Sequence, residues 1–350
     1  MTSHYSPPLE EPRQESSRTT RAPLSFLAGD VGGTKTNLAI FTSAGGNLHV
    51  VAEQSFLNHN YAGFEQIVKE FLAGHDCNVT QACFGIAGPV KAGRAKMPNL
   101  PWTIDSALLG PALHIDRVFL LNDLEATAYG IAVLQPENVM ALSEASPQPG
   151  NIALIAAGTG LGEALLVWDG AQHRASASEG GHADFAPRDA EQIELLRYLI
   201  AKFGHVSYER LVSGPGLLNI YNFLKESGFA KEPEWLSARL SEGSDASAVI
   251  TETALSAQSE LSTHALELFV SIYGAEAGNL ALKALATAGV YIGGGIAPKI
   301  LPKLKDGTFV RAFRDKGRFS MLLESVPVRV ILDPKTALRG AAYYLASVTN

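Results

Sequence analysis

Short apolar runs separated by polar punctuation recur along the chain: SFLAG, TNLAIF, QACFGIAG, RVFLLND, NIALIAAG, EALLVW, GVYIGGG and VRVILD. Each is bounded by Gly, Pro, Asn or Asp, a pattern that predicts sheet strands. Between them, apolar residues at helical spacing predict helices in GFEQIVKEFLAG, LEATAYGIAVL, AEQIELLRYLIAKFG, the stretch from about Thr251 to Ala286, and TALRGAAYYLAS. Strands interleaved with helices define an α/β protein.

One device occurs twice. SFLAGDVGGTKTNLAIF and IALIAAGTGLGEALLVW each read as strand, bend containing Gly and Thr, strand, and they lie about 130 residues apart. Two halves built alike and packed pseudo-symmetrically set two glycine-rich hairpin tips across one cleft. The length of 350 residues suits two lobes, since domains usually run roughly 100 to 200 residues. The boundary is expected near residue 133.

Composition narrows the partners. Apolar residues make up 46% and charged residues 18%, a globular balance. A net charge of −7 without a basic cluster argues against nucleic acid and favours a small polar ligand. Cys77 and Cys83 have no metal-spaced His pair beside them and are read as reduced and buried, which favours the cytoplasm. The longest apolar run is interrupted by Gly158, Gly160, Gly162 and Glu163, so no membrane span is expected. The first 24 residues carry Pro, Ser and mixed charge without the apolar stretch of a secretory signal, and are expected to form a disordered arm. SEGSDAS, Ser241 to Ser247, reads as a solvated loop in the second half.

The first bend gathers Asp30, Gly32, Gly33, Thr34, Lys35 and Thr36. It reads either as an ordinary hairpin or as a phosphate site, where converging donors are needed and glycines let backbone N–H groups approach. A second bend with Gly158, Thr159, Gly160 and Gly162 favours the phosphate reading. Neither bend is a Walker loop or a dinucleotide fingerprint, because both run strand to strand and no Gly-Lys-Ser or Gly-Lys-Thr occurs. A carboxylate such as Asp30 beside phosphate calls for a divalent cation between the like charges, here Mg²⁺ held largely through water. Gly293, Gly294 and Gly295 end the strand GVYI before IAPKIL, read as a helix start, and would let a base and ribose lie on backbone.

Asn122 and Asp123 stand between the strand VFLL and the helix LEATAYG. Asp123 reads either as a helix N-cap or as a general base for a hydroxyl attacking a phosphoryl group, with Asn122 binding the same substrate. In SEGGHADFAP, Glu179 and His182 flank a glycine pair and suit a polyol, although a histidine alone is more often structural. Zinc at His182 is disfavoured, since no cysteine or second histidine lies at ligand spacing. GHVSYERLVSGPG adds Glu209 at an expected helix start.

Together GDVGGTKTNLAIF, IAGPV, LLNDLEATAYG, AAGTGLGEALL, SEGGHADFAP, GHVSYERLVSGPGLLNIY, AGNLAL, YIGGGIAPKI and FRDKGRF, from about residue 26 to 345, resemble in order the bacterial glucokinases of the hexokinase, actin and Hsp70 ATPase superfamily. EGGHADFAP with GHVSYERLVSGPG is the part specific to glucokinases. The resemblance implies a two-lobed actin-like ATPase (ribonuclease H-like) fold with a duplicated βββαβα-type core and a central ligand cleft. It implies a smaller lobe over 25–133, completed by a C-terminal helix over 334–350, and a larger lobe over 134–333. The implied activity is ATP-dependent phosphorylation of D-glucose at its 6-hydroxyl, giving glucose 6-phosphate and ADP at the first step of glycolytic glucose use.

Carried over by motif, Asp123 is the expected base, and Asn99 in PNLPW, Asn122, Glu179, His182 and Glu209 form the expected sugar set. Asp30 to Thr36 and Gly158 to Gly162 would hold phosphates, Gly293 to Gly295 the adenosine, and Asp30 the Mg²⁺ through water. The resemblance implies ATP and agrees with Mg²⁺, and a homodimer follows from the resemblance alone. Lys35 stands where other members carry an uncharged side chain, and no cysteine follows Cys83, so the cysteine-bound zinc of some relatives is not expected. Rival readings are a kinase of mannose, fructose or an N-acyl hexosamine, a non-catalytic sugar sensor, and an ATP-driven interaction protein.

Overall fold

The computed structural model describes residues 24–44, 47–97, 100–243 and 245–349. Three antiparallel strands open the described chain, β1 (Leu24–Val31), β2 (Lys35–Ala44) and β3 (Asn47–Leu57). Helix α1 (Phe64–Ala73) leads to β4 (Val79–Ile86), parallel to β1. A small sheet of β5 (Val90–Lys91), β6 (Arg94–Lys96) and β7 (Thr103–Asp105), then helix α2 (Ser106–Leu113), precede β8 (Arg117–Asn122) and helix α3 (Asp123–Gly130).

After an edge strand, β9 (Val139–Ala141), the pattern repeats with β10 (Ile152–Ala157), β11 (Leu161–Trp168) and β12 (His173–Ser178). Helices α4 (Ala190–Phe203), α5 (Gly214–Glu226), α6 (Glu234–Ser241), α7 (Ala246–Leu255) and α8 (Glu260–Ala284) fill the crossover to β13 (Gly289–Gly293). Helices α9 (Leu301–Lys305), α10 (Thr308–Arg314) and α11 (Ser320–Glu324) lead to β14 (Val328–Ile331) and the final helix α12 (Thr336–Thr349). The large sheets share one order, β3-β2-β1-β4-β8 and β12-β11-β10-β13-β14, the second extended by β9. The duplication seen in two hairpins therefore extends to two whole sheets.

Side-chain alternation along the strands fixes what lies between the sheets. In β1, Leu27 and Val31 face a core shared with α1 and α2, while Phe26 and Ala28 face Leu338, Ala341, Ala342 and Leu345 of α12. Those four residues form one helical stripe and are all buried, each worth up to about 1.5–3 kcal/mol where the side chain is large. In β10, Ala153, Ile155 and Ala157 face α5, α7 and α8, while Ile152 and Leu154 face Ala128 of α3. Ala126 of the same helix belongs to the first sheet's core. The layers thus run helices, sheet, the α3–α12 pair, sheet, helices.

The two middle helices touch backbone to backbone. A Cβ on Gly340 would lie 1.8 Å from Ala126 O, and one on Gly130 would lie 2.2 Å from Thr336 O. Only residues without a side chain permit that approach.

Several elements differ from expectation. Strands β3 and β12 were not anticipated, because both are sheet edges: Val50 and Val51 of β3 are exposed, and HRASAS of β12 has no apolar run. Largely solvated edge strands carry little hydrophobic alternation and exist through pairing with a neighbour. The helical stretch from Thr251 to Ala286 breaks at Ser256–Ser259, where Ser259 caps α8. The helix expected at IAPKIL begins only at Leu301. Cys83 is buried against α12, but Cys77 is only half-buried; both are free thiols. The strand begins at Leu24, and the rest of the expected arm lies outside the described residues. Among the described residues no helix is long and apolar enough to cross a membrane.

Gly340→Ala should cost at least about 1–3 kcal/mol, the usual penalty of overpacking, read as a lower denaturation midpoint. A midpoint unchanged from the parent would show that the helix crossing does not depend on this contact.

Candidate functional site

The first glycine turn is held from behind. Gly32 N–H donates to Lys35 O at 3.0 Å, closing the tip between β1 and β2. Asn58, 1% exposed, donates its amide to Gly32 O at 2.8 Å, accepts the Thr36 hydroxyl at 2.8 Å, and donates its own N–H to Thr34 O at 2.9 Å. Thr36 is fully buried and its hydroxyl is spent on Asn58, so it shapes the turn and is no open donor to a ligand. Thr34 and Lys35 are exposed at the tip.

Asp30 has the alternation of Phe26 and Ala28 and so points toward the α3–α12 layer. Its carboxylate accepts from Asn37 Nδ2 at 3.3 Å. Burial holds its pKa above the ordinary value, against the lowering influence of Asn37 and Lys35.

Strand β8 ends at Asn122, which is the N-cap of α3: Oδ1 accepts from Glu125 N–H at 2.8 Å, and Glu125 returns a bond to Asn122 N–H at 3.1 Å. The capping reading weighed for Asp123 therefore belongs to Asn122. Asp123 is the first helical residue, with Oδ1 accepting from Leu124 N–H at 3.0 Å and Asn122 Nδ2 at 3.3 Å. Burial foremost, with the charges of Asp30 and Glu179, pushes its carboxyl up to about 6, while the Leu124 N–H opposes. Those charges act on Asp123 because the first glycine turn, the segment carrying Glu179 and the start of α3 converge.

Glu179 precedes a single turn over Gly180–His182. His182 Nδ1 lies 4.0 Å from Glu209 Oε1, and Glu209 Oε2 accepts from Leu161 N–H at 3.0 Å. Glu209 thus joins the Gly180–His182 turn to the second glycine turn. It lies in a short turn over Tyr208–Arg210, and the helix expected there starts at Gly214, capped by Ser213. Ser213 also donates to Glu209 O at 2.7 Å, and Gly214 N–H donates to Gly158 O at 2.8 Å. Asn99 lies outside the described residues.

The third glycine cluster meets the second. Gly294 has φ +82°, and a Cβ there would stand 2.2 Å from Ala157 O. Beside it opens a cavity of about 650 Å³ lined by Gly158, Thr159, Pro215, Ser247, Gly295 and Lys299. Among the described residues no group of three or more His, Cys, Asp or Glu side chains could hold a metal ion. Asp30 and Asp123, two carboxylates raised by burial, offer hard oxygen donors whose repulsion a hydrated divalent cation would relieve.

The family model for glucokinase matches residues 27–348. A glucokinase of Nostoc punctiforme is 42% identical over 332 residues, covering 91% of this chain and 97% of that one. The chain belongs to the glucokinase family. A Synechocystis glucokinase is 40% identical over 91% of this chain and 97% of its own. The crystal structure of a glucokinase from an Antarctic psychrotroph superposes with a TM-score of 0.82 at 28% identity, over 92% of this chain and 99% of that one. The fold is accordingly the two-lobed actin-like ATPase fold of these sugar kinases.

Three features of this glucokinase-family site escaped sequence reasoning. Asn58 looks like any loop residue, and only its burial reveals that it pins the first turn. Tyr273 supports the second turn from α8, its hydroxyl accepting from Ala157 N–H at 3.2 Å and lying 3.3 Å from Ile155 O. Asp245 to Ser247, read as a solvated loop, line the cavity beside Gly158. The signal available was the Asp-Ala-Ser cap before an apolar helix; Asp245 Oδ1 accepts from Ser247 N–H at 3.0 Å.

Asn58→Ala leaves the Thr36 hydroxyl and Gly32 carbonyl short of partners, which should cost about 1–3 kcal/mol. Amide exchange at Gly32 and Gly33 should quicken. Parental exchange rates in a destabilised variant would place the loss elsewhere than this turn.

Proposed function

We propose that the protein transfers the γ-phosphoryl group of ATP to the 6-hydroxyl of D-glucose, releasing glucose 6-phosphate and ADP. The observation that carries the reading is Asp123: a carboxyl at the end of β8, raised to about 6, where the charges of Asp30 and Glu179 converge. A base poised just below neutral pH is ionised in use yet retains basicity. Membership of the glucokinase family supports the substrate and donor.

In this reading Asn122, Glu179, His182 and Glu209, together with Asn99, bind the sugar hydroxyls and orient the 6-hydroxyl toward Asp123. Asn122 has an amide hydrogen free for the sugar after its oxygen caps α3. The turn from Asp30 to Lys35 and the turn from Gly158 to Gly162 offer backbone N–H groups to the phosphates. Gly293 to Gly295 and the adjoining cavity take the adenosine. Asp30 would hold Mg²⁺ through water, and the ion supplies charge neutralisation on the transferred group. Asp123 accepts the hydroxyl proton as the oxygen attacks phosphorus, and closure of the lobes excludes water that would otherwise hydrolyse ATP.

Residues 25–133 with the C-terminal helix form one lobe in this scheme and 134–333 the other. The free thiols of Cys77 and Cys83 support a reducing, cytoplasmic setting. A homodimer is assigned from the family resemblance alone.

Asp123→Ala should lower kcat about 10²- to 10⁴-fold. For the parent, kcat/KM should rise as pH climbs through about 6, because the base works only when ionised. The raised pKa means the folded state holds this proton more tightly than the unfolded chain, so its stabilising contribution is lost as pH rises through about 6. Asp123→Asn at neutral pH should therefore keep or raise Tm while losing turnover. Full activity in either variant would remove the base assignment.

A further inference from the structure

Beneath the sugar loop lies a pair of acids that the proposed reaction leaves without a task. Glu163 on β11 and Glu276 on α8 are 1% and 0% exposed; the Glu276 charge bears on Glu163, and the buried Glu163 Oε1 has no donor within reach among the described residues. Two neighbouring buried carboxyls resist ionising together, and one proton held between them would relieve that repulsion. Burial foremost, with the Glu276 charge, pushes Glu163 up to about 8, while Lys283 opposes. Lys283 Nζ lies 3.5 Å from Glu276 Oε1 and sets a positive charge beside the pair. Tyr273 also faces Glu163, and Tyr208 and Lys316 face Glu276.

Two contacts carry the pair outward to the sugar-binding segments. A Cβ on Gly180 would stand 2.0 Å from Glu163 Oε2, so this carboxyl is seated against the backbone of the turn that carries Glu179 and His182. On the other side, Glu276 Oε2 accepts from Asn279 Nδ2 at 2.8 Å, and the same amide donates to the Tyr208 hydroxyl oxygen at 3.0 Å, one residue before Glu209. Lys316 Nζ locks Asn279 by donating to its Oδ1 at 2.6 Å and to Ala275 O at 2.9 Å.

We propose that Glu163 and Glu276, sharing one proton, are positioning residues that hold the Glu179–His182 turn at a fixed distance from the Glu209 segment. The inference rests on the sugar-kinase reading of that site. A directional hydrogen bond fixes a spacing that apolar contact would let slide. Loss of the shared proton sets two carboxylates against each other, and the turn above Glu163 is the part free to move.

The test compares the parent with Glu163→Gln and Glu163→Ala in glucose kinetics from about pH 7 to about pH 9, and in Tm across pH. Glu163→Gln keeps a donor toward Glu276 without a titrating proton. The parent's KM for glucose should rise several-fold across that range with kcat less affected. Glu163→Gln should match the parent near neutrality and stay flat. Glu163→Ala should raise KM about tenfold near neutrality with kcat within about threefold, a split expected of lost substrate positioning. The Glu163 pKa is raised on folding, so its stabilising contribution is complete below the ordinary carboxylate pKa and lost as pH climbs through about 8. Parental Tm should accordingly fall relative to Glu163→Gln over that interval.

An alkaline rise in KM in Glu163→Gln equal to the parent's, or parental KM in a folded Glu163→Ala, would overturn the proposal. Tm curves that stay parallel would overturn the shared proton. A parent that phosphorylates no hexose would sink the kinase reading and the positioning role with it, while the Tm comparison would still decide the proton.

Discussion

Helices α3 and α12 cross between the two sheets with backbone against backbone, and the position of the chemical groups follows from that contact. Helix α3 starts at the end of the first sheet's fifth strand, yet buries Ala128 against the second sheet and Ala126 against the first. Its first residue, Asp123, is thereby fixed where both sheets present their ends. Gly130 and Gly340 set the spacing, because a Cβ at either would enter the backbone of the partner helix. The two glycine turns are far apart in sequence, and this crossing turns two hairpin tips into one site.

The site is assembled against electrostatic resistance. Asp30 and Asp123 are both held above their ordinary pKa, chiefly by burial. Such an arrangement costs stability in the empty protein, a familiar feature of sites shaped for a charged ligand. A phosphate donor with its cation would convert that repulsion into binding, which links the local strain to the proposed transfer. The hydrogen bonds around the site work in the other direction. Asn58 and Tyr273 satisfy backbone groups in or beside a glycine turn, and Gly214 N–H holds Gly158 O, so the turns are braced by the protein itself.

Much of this was legible because buried strands advertise themselves. The apolar runs became β1, β2, β4, β8, β10, β11, β13 and β14, and the glycine bends fell between strands as read. Edge strands β3 and β12 were illegible because wide exposure to solvent blurs the alternation. Asp123 was read correctly as standing between strand and helix, but local pattern could not tell which of Asn122 and Asp123 caps α3; the Glu125 reciprocal bond decides for Asn122. Thr36, Asn58, Glu163 and Glu276 were misread or passed over for one reason. Their partners lie across the fold, and sequence spacing carries no trace of a contact between β11 and α8.

The most direct measurement of the central claim is ADP formation from Mg-ATP by the purified protein, compared across glucose, mannose, fructose, N-acetylglucosamine and no sugar. We expect strong turnover that requires a hexose and is greatest with glucose. Turnover independent of sugar, or none with any of them, would contradict the account and return the cleft to the ATPase or sensor readings.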